Sequence, residues 1–178
     1  MKTLSLVLCL AVLALPAAVA IAADTATQTV QMNVDDICVI DVTADPAALA
    51  IAAPGTGGQT PTGDSDNSTY AQYTSIVSGA ATRSLQANWG GSDAAPAGCS
   101  LDLEVTAVTA GCGARVVGGV TLTSSTQNIV TGIGSCATGT GATDGAQLTY
   151  TLNIDDSTQL DSGDDQSVTV TLTLTDAS

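Results

Sequence analysis

Across residues 168–175 the chain alternates strictly: Val168, Val170, Leu172 and Leu174 are separated by Thr169, Thr171, Thr173 and Thr175. A pleated strand sends successive side chains to opposite faces, so this period of two predicts a strand with one face in a core and one in water. The pattern recurs at Leu148, Tyr150, Leu152 and Ile154. It recurs at Leu101, Leu103, Val105 and Ala107, against Asp102, Glu104 and Thr106, and at Leu85, Ala87 and Trp89, against Ser84, Gln86 and Asn88. Near the N-terminus Val30, Met32 and Val34 alternate, and the same face resumes at Cys38, Ile40 and Val42 after Asp35-Asp36. Shorter candidates lie at residues 70–77, 116–123 and 128–133. Neither a sustained helical period nor a fixed-length repeat follows residue 22. The expected fold is therefore all-β, an immunoglobulin-like or pilin-like antiparallel β-sandwich of about eight strands.

The first residues read differently. Lys2, an apolar run over residues 4–15, Pro16 and then Ala20-Ile21-Ala22 match a secretory signal peptide over residues 1–22, with one domain over residues 23–178. The run is too short to span a bilayer, and no later run is longer, so no membrane insertion is expected once the leader is cleaved. A secreted location follows: periplasm, cell surface or extracellular space. Export shapes the reading of Cys38, Cys99, Cys112 and Cys136, because an even set of cysteines in an oxidising compartment predicts two disulfides. Of the three possible connectivities, the expected one joins Cys99 to Cys112, clipping a hairpin, and Cys38 to Cys136, tying the first strand to a late loop.

Charge excludes several partners. The chain has 17 acidic residues against 3 basic ones, a formal net charge of −14. Without the leader only Arg83 and Arg115 remain as cations, and the charge becomes about −15. Nucleic acid and anionic lipid both need their phosphates neutralised by Lys or Arg, so neither is an expected partner.

The inventory for catalysis is equally thin. The absence of histidine rules out Ser-His-Asp and Cys-His sites. No lysine follows the leader, which removes Ser-Lys dyads and Schiff bases. The glycine-rich piece 139–145 lacks the strand–helix context of a dinucleotide loop and reads as a hairpin turn. Glu104, the one glutamate, falls on the solvent face of a strand, and a paired-carboxylate cleft would want aromatic platforms in a chain with 1 Trp, 3 Tyr and no Phe. The expectation is a chain that is not an enzyme and needs no cofactor.

Two acidic stretches raise calcium as a candidate ligand. Asp64 and Asp66 sit in Asp64-Ser65-Asp66-Asn67-Ser68, within a long Pro- and Gly-rich loop over residues 44–69. Asp155, Asp156, Asp161, Asp164 and Asp165 sit in a second loop. Calcium takes several oxygen ligands, but neither stretch completes an EF-hand, and solvated acidic loops are the favoured reading. The threonine face of residues 169–175 makes one ladder, where flat ice-binding surfaces need several. Asn67-Ser68-Thr69 matches the N-glycosylation pattern.

A resemblance adds to this reading. Tyr73-Thr74-Ser75, Arg83-Ser84-Leu85-Gln86, Leu101-Asp102-Leu103 and Val120-Thr121-Leu122-Thr123 come in an order that resembles a group of uncharacterised secreted bacterial β-sandwich proteins. Gln127-Asn128-Ile129-Val130-Thr131-Gly132-Ile133 and the alternating last strand extend the likeness over most of the chain after the leader. More distantly, a cysteine in the first strand at Cys38 and the alternating last strand resemble fimbrial subunits and spore-coat-protein-U-like domains. The ending Leu174-Thr175-Asp176-Ala177-Ser178 departs from pilins, which carry a penultimate tyrosine. The resemblance implies fold and export and identifies no active site. The expected function is a non-catalytic, secreted, cell-surface structural or adhesive subunit; residues 23–34 are a candidate for adding a strand to a neighbour, although a first strand over residues 30–42 paired inside its own sandwich is the favoured reading. The alternative is an extracellular carbohydrate- or ligand-binding module, calcium-assisted, with Trp89, Tyr70 and Tyr73 as its aromatic candidates.

Overall fold

The structure is a computed structural model and describes residues 25–90, 93–163 and 165–177. The expected leader and its cleavage site lie outside the described residues, as do Gly91 and Asp164. Met1–Asn33 and Val34–Ser178 form separate units. In the first, residues 25–33 carry neither helix nor strand.

The second unit is all-β. Seven strands are six or more residues long: β1 (Ile37–Val42), β2 (Ser65–Ile76), β3 (Arg83–Trp89), β4 (Cys99–Val108), β7 (Gln127–Ile133), β9 (Ala146–Ile154) and β10 (Val170–Asp176). Three have two residues each: β5 (Ala114–Arg115), β6 (Val120–Thr121) and β8 (Cys136–Ala137). One sheet runs β1-β2-β9-β4-β6 with β8 alongside β2, and the other runs β10-β3-β7-β5. All pairings are antiparallel. The expected β-sandwich is what forms.

The alternating sets face where their period directs, except Ala107, which a bulge after Val105 leaves exposed while Val108 packs against the core. Leu101, Leu103 and Val105 of β4 stand opposite Leu152, Tyr150 and Leu148 of β9, and all six are buried. All but Leu152 meet Leu85, Ala87, Ile129, Val130, Ile133 and Leu174 of the second sheet in one core. Burying aliphatic side chains at roughly 25 cal/mol per Å² is the main cohesive term in such a sandwich.

Three expectations are corrected. The strand expected from Val30 onward starts only at Ile37. Ile37 stands opposite Ile76, the last residue of β2, so the β1–β2 ladder extends no further toward the N-terminus. The strand expected over residues 116–123 is split. Gly118 and Gly119 have φ values of 91° and 67°, a left-handed bend that ends any strand. β5 before them joins one sheet, and β6 after them joins the other. The loop expected over residues 44–69 is shorter, because β2 begins at Ser65. A bulge follows: Asp66 pairs with Tyr150 and Thr69 with Leu148, which leaves one extra residue on β2.

One end of the sandwich is closed around a buried charge. Arg83 has the same strand parity as Leu85 and Ala87, so β3 points it inward, and it is 3% exposed. Its guanidinium forms a salt bridge with Asp36 just before β1 and a second, 3.1 Å, with Asp176 of β10, its cross-strand partner. Nη1 donates to the Ile37 carbonyl at 2.7 Å, the Ser75 hydroxyl at 3.1 Å and the Ile76 carbonyl at 3.3 Å. Burial works to lower the Arg83 pKa, but the hydrogen bond and charge of Asp36, with Cys38 and Asp176, outweigh it and hold the pKa above its ordinary value. This side chain therefore joins both sheets through β1, β2, β3 and β10.

Two predictions follow from burial. Arg83→Met unties the exposed carboxylates of Asp36 and Asp176, leaves the Ser75 hydroxyl and the Ile37 and Ile76 carbonyls without their donor, and should lower the thermal midpoint sharply. Arg115→Met removes a half-exposed 3.3 Å pair with Glu104 and should cost only about 0–1 kcal/mol. Equal effects in paired thermal melts would contradict this account of the closed end. The second prediction concerns alkali. Burial pushes Tyr150 up to about 12, and burial with the charges of Cys112 and Cys136 pushes Tyr73 higher still. A phenol with a raised folded pKa contributes stability that is complete below its unfolded value near 10 and is lost as pH rises through the folded value. Thermal midpoints should hold to about pH 10 and then fall. Tyr150→Phe should flatten the fall between pH 10 and 12 by roughly 2–3 kcal/mol, and a melt series with an unchanged slope would refute it.

Candidate functional site

The end opposite Arg83 is open. At the closed end β1 and β10 approach, and the Cys38 thiol donates to the Leu174 carbonyl at 3.4 Å. Further along, Ile40 and Val42 of β1 face Val170 and Leu172 of β10 across a cleft of about 1440 Å³. Its apolar floor includes Leu101, Tyr150 and Leu152. Its other lining comes from residues 44–51, 94–96, 160–163 and 165–169. Asp41, Asp45, Asp161 and Asp165 are among its lining residues.

Thr69 also lines the cleft and is 2% exposed, and its Oγ1 has no hydrogen-bond partner. A buried hydroxyl left unpaired costs about 1–3 kcal/mol, so native structures rarely keep one without a reason. The bulge places it there: the Asp66 carboxylate accepts from the Ser68 amide at 3.1 Å and the Ser68 hydroxyl at 2.8 Å, holding the extra residue outward and turning Thr69 in.

The calcium candidates do not converge. Asp64 accepts from the amides of Ser65 at 2.8 Å and Ala50 at 3.4 Å. Asp66 serves the bulge. Asp156 caps a 3-10 turn (Ser157–Gln159). Its hydrogen bonds from the Thr158 and Gln159 side chains and then the Thr158 amide hold its carboxyl below the ordinary range against a small opposing effect of burial. Asp155 begins the turn that follows β9, where its amide donates to the Gly98 carbonyl at 2.8 Å. Asp161 and Asp165 belong to the cleft, and Asp164 lies outside the described residues. Among the described residues no three His, Cys, Asp or Glu side chains form a metal-holding group.

The expected disulfides are corrected too. None of the four cysteines is in a disulfide. Cys99 opens β4 and Cys112 follows its far end, so roughly 30 Å of strand separates them at 3.3 Å per residue. Cys38 and Cys136 pair with the same residue, Ser75, from opposite edges of β2. Two inter-strand spacings put their backbones about 9–10 Å apart, beyond the roughly 7 Å at which a disulfide can close.

The aromatic candidates form no exposed platform. Tyr73 is buried, with its hydroxyl on the Cys112 carbonyl at 2.6 Å. Trp89 packs against the core, and Tyr70 is half-buried. The threonine ladder also stays single: Thr171, Thr173 and Thr175 of β10 stand beside Asn88, Gln86 and Ser84 of β3.

Val30, Met32 and Val34 are 68%, 89% and 79% exposed. Their alternation was legible in the sequence, but not their lack of a partner strand. Arg83 was also within reach of sequence reasoning, since it shares the inward parity of Leu85. The cleft was not, because it depends on how far two sheets part. Comparison with known proteins yields no match: no protein-family model, curated protein or solved structure is similar to this chain.

Proposed function

We propose that the chain is a non-catalytic, exported surface subunit that assembles by strand addition, with residues 29–34 of one copy lying in the open cleft of the next. The observation that carries this reading is the exposure of Val30, Met32 and Val34 at strand spacing with no strand of their own. Three further features support it. Residues 25–34 carry no charge, so they can approach a cleft bordered by aspartates without like-charge repulsion. Six extended residues span about 20 Å, a usual strand length. An inserted backbone brings N–H and C=O groups within reach of the Thr69 hydroxyl and of strand edges: β1 pairs only with β2, and β10 only with β3, among the described residues.

The net charge of −14 opposes contact between copies, so assembly should depend on salt. The Debye length falls from about 10 Å at 0.1 M to about 3 Å at 1 M. The alternative of a carbohydrate-binding module has less support, because Tyr73 and Trp89 are committed to the core.

The test uses two variants and light scattering after size exclusion. Protein cleaved after residue 22 should form longer assemblies as salt rises. The triple variant Val30→Ser, Met32→Ser, Val34→Ser should stay monomeric with an unchanged thermal midpoint, since these side chains are mostly exposed. Leu172→Asp should block the cleft. Mixing the triple variant with Leu172→Asp should give one-to-one dimers, each supplying the part the other lacks. A monomer at every salt concentration, or assembly by the triple variant, would sink the proposal.

A further inference from the structure

The two expected cysteine pairs are out of reach, yet the structure brings a different pair together. Cys112 is 2% exposed and belongs to the core, and Cys136 packs against that core. Both are held by β2. Cys136 stands opposite Ser75, a buried residue, so its side chain takes the same inward face. Tyr73, two residues earlier on that face, bonds the Cys112 carbonyl through its hydroxyl, and its backbone exchanges bonds of 3.0 Å with Thr138, two residues after Cys136. The Cys112 thiol is the neighbour that, after burial, holds the Cys136 thiol above its ordinary pKa.

We infer that Cys112 and Cys136 form the disulfide of this protein. The two thiols are free in the structure, so closing the bond requires a shift of the backbone around them. Gly111 and Gly113 flank Cys112 at φ 82° and 106°, and β8 holds Cys136 by only two residue pairs. In the reaction, one thiol loses its proton and attacks a sulfur of a low-molecular-weight or protein disulfide, releasing one thiolate. The second thiol then attacks the mixed disulfide and releases the other. The protein gains an S–S bond and loses two protons and two electrons, and the exchanging disulfide is reduced to two thiols.

The chemistry also sets when this happens. Burial, and then the hydrogen bond and charge of Cys112, push the Cys136 thiol above its ordinary pKa. A protonated, buried thiol exchanges slowly. The bond therefore forms during folding, before the core closes, and afterwards resists reduction. It would join the segment after β4 to β8, across 24 sequence positions, beside the Arg83 cluster that Ser75 shares. Covalent reinforcement then falls on the closed end and leaves the cleft unconstrained.

The experiment stands apart from the proposed assembly, because it needs only purified, monomeric protein. The chain is refolded in mixed reduced and oxidised glutathione, digested without reductant and mapped by mass spectrometry. The result expected is one cross-linked pair of peptides carrying Cys112 and Cys136. The Cys38→Ser, Cys99→Ser double variant should retain that link and, on reduction, lose roughly 6–12 °C of thermal midpoint. Recovery of Cys112 and Cys136 as separate thiol peptides, linkage of either to Cys38 or Cys99, or a midpoint that reduction leaves unchanged would each overturn the assignment.

Discussion

A single guanidinium, buried where the edges of two sheets meet, organises this sandwich. An arginine is costly to desolvate, and it survives here because its donors are met by two carboxylates, a hydroxyl and two carbonyls. Those acceptors come from four places in the chain: the approach to β1, β1 itself, the end of β2 and the end of β10. Hydrophobic burial sets how firmly the sheets adhere but carries little directional information. The fork of Arg83 is directional. It fixes which ends of β1 and β10 come together, and so where the sandwich closes.

The cleft follows from that closure. β1 and β10 are both edge strands, in different sheets, and they are not paired with each other. Held at Asp36 and Asp176, they part toward Val42 and Val170 and leave aliphatic side chains of both sheets beside an unfilled space. Exposed strand edges and apolar surface are liabilities in a soluble protein unless something covers them. The strong negative charge offers a general defence, since copies repel at low salt. The uncharged, alternating residues before Asp35 have the composition to get past it.

Much of this fold could be read from alternation. The inward rows of β9, β3 and β10, and of β4 as far as Val105, are where the period of two places them, because each of these strands has a neighbour on the side that matters and buries one face. The reading failed where alternation lacked a partner or was interrupted. Val30, Met32 and Val34 alternate as well as any strand, but β2 ends at Ile76 and leaves them unpaired. Residues 116–123 contain enough β-branched residues for a strand, but Gly118-Gly119 sends the chain across to the other sheet. Asp64 and Asp66 read as part of a solvated acidic loop and as weak calcium candidates, whereas one precedes a strand and the other caps its bulge.

The sequence by itself determined the class of fold, the inward and outward faces of most strong strands, the acidic charge and the absence of histidine. These depend on residue type and on local period, which are properties of neighbours along the chain. Only the tertiary structure decided which cysteines are near one another, that Arg83 closes one end, and that the other end stands open. Those depend on strand order and register, and residues far apart in sequence acquire them only when the sheets pair and pack.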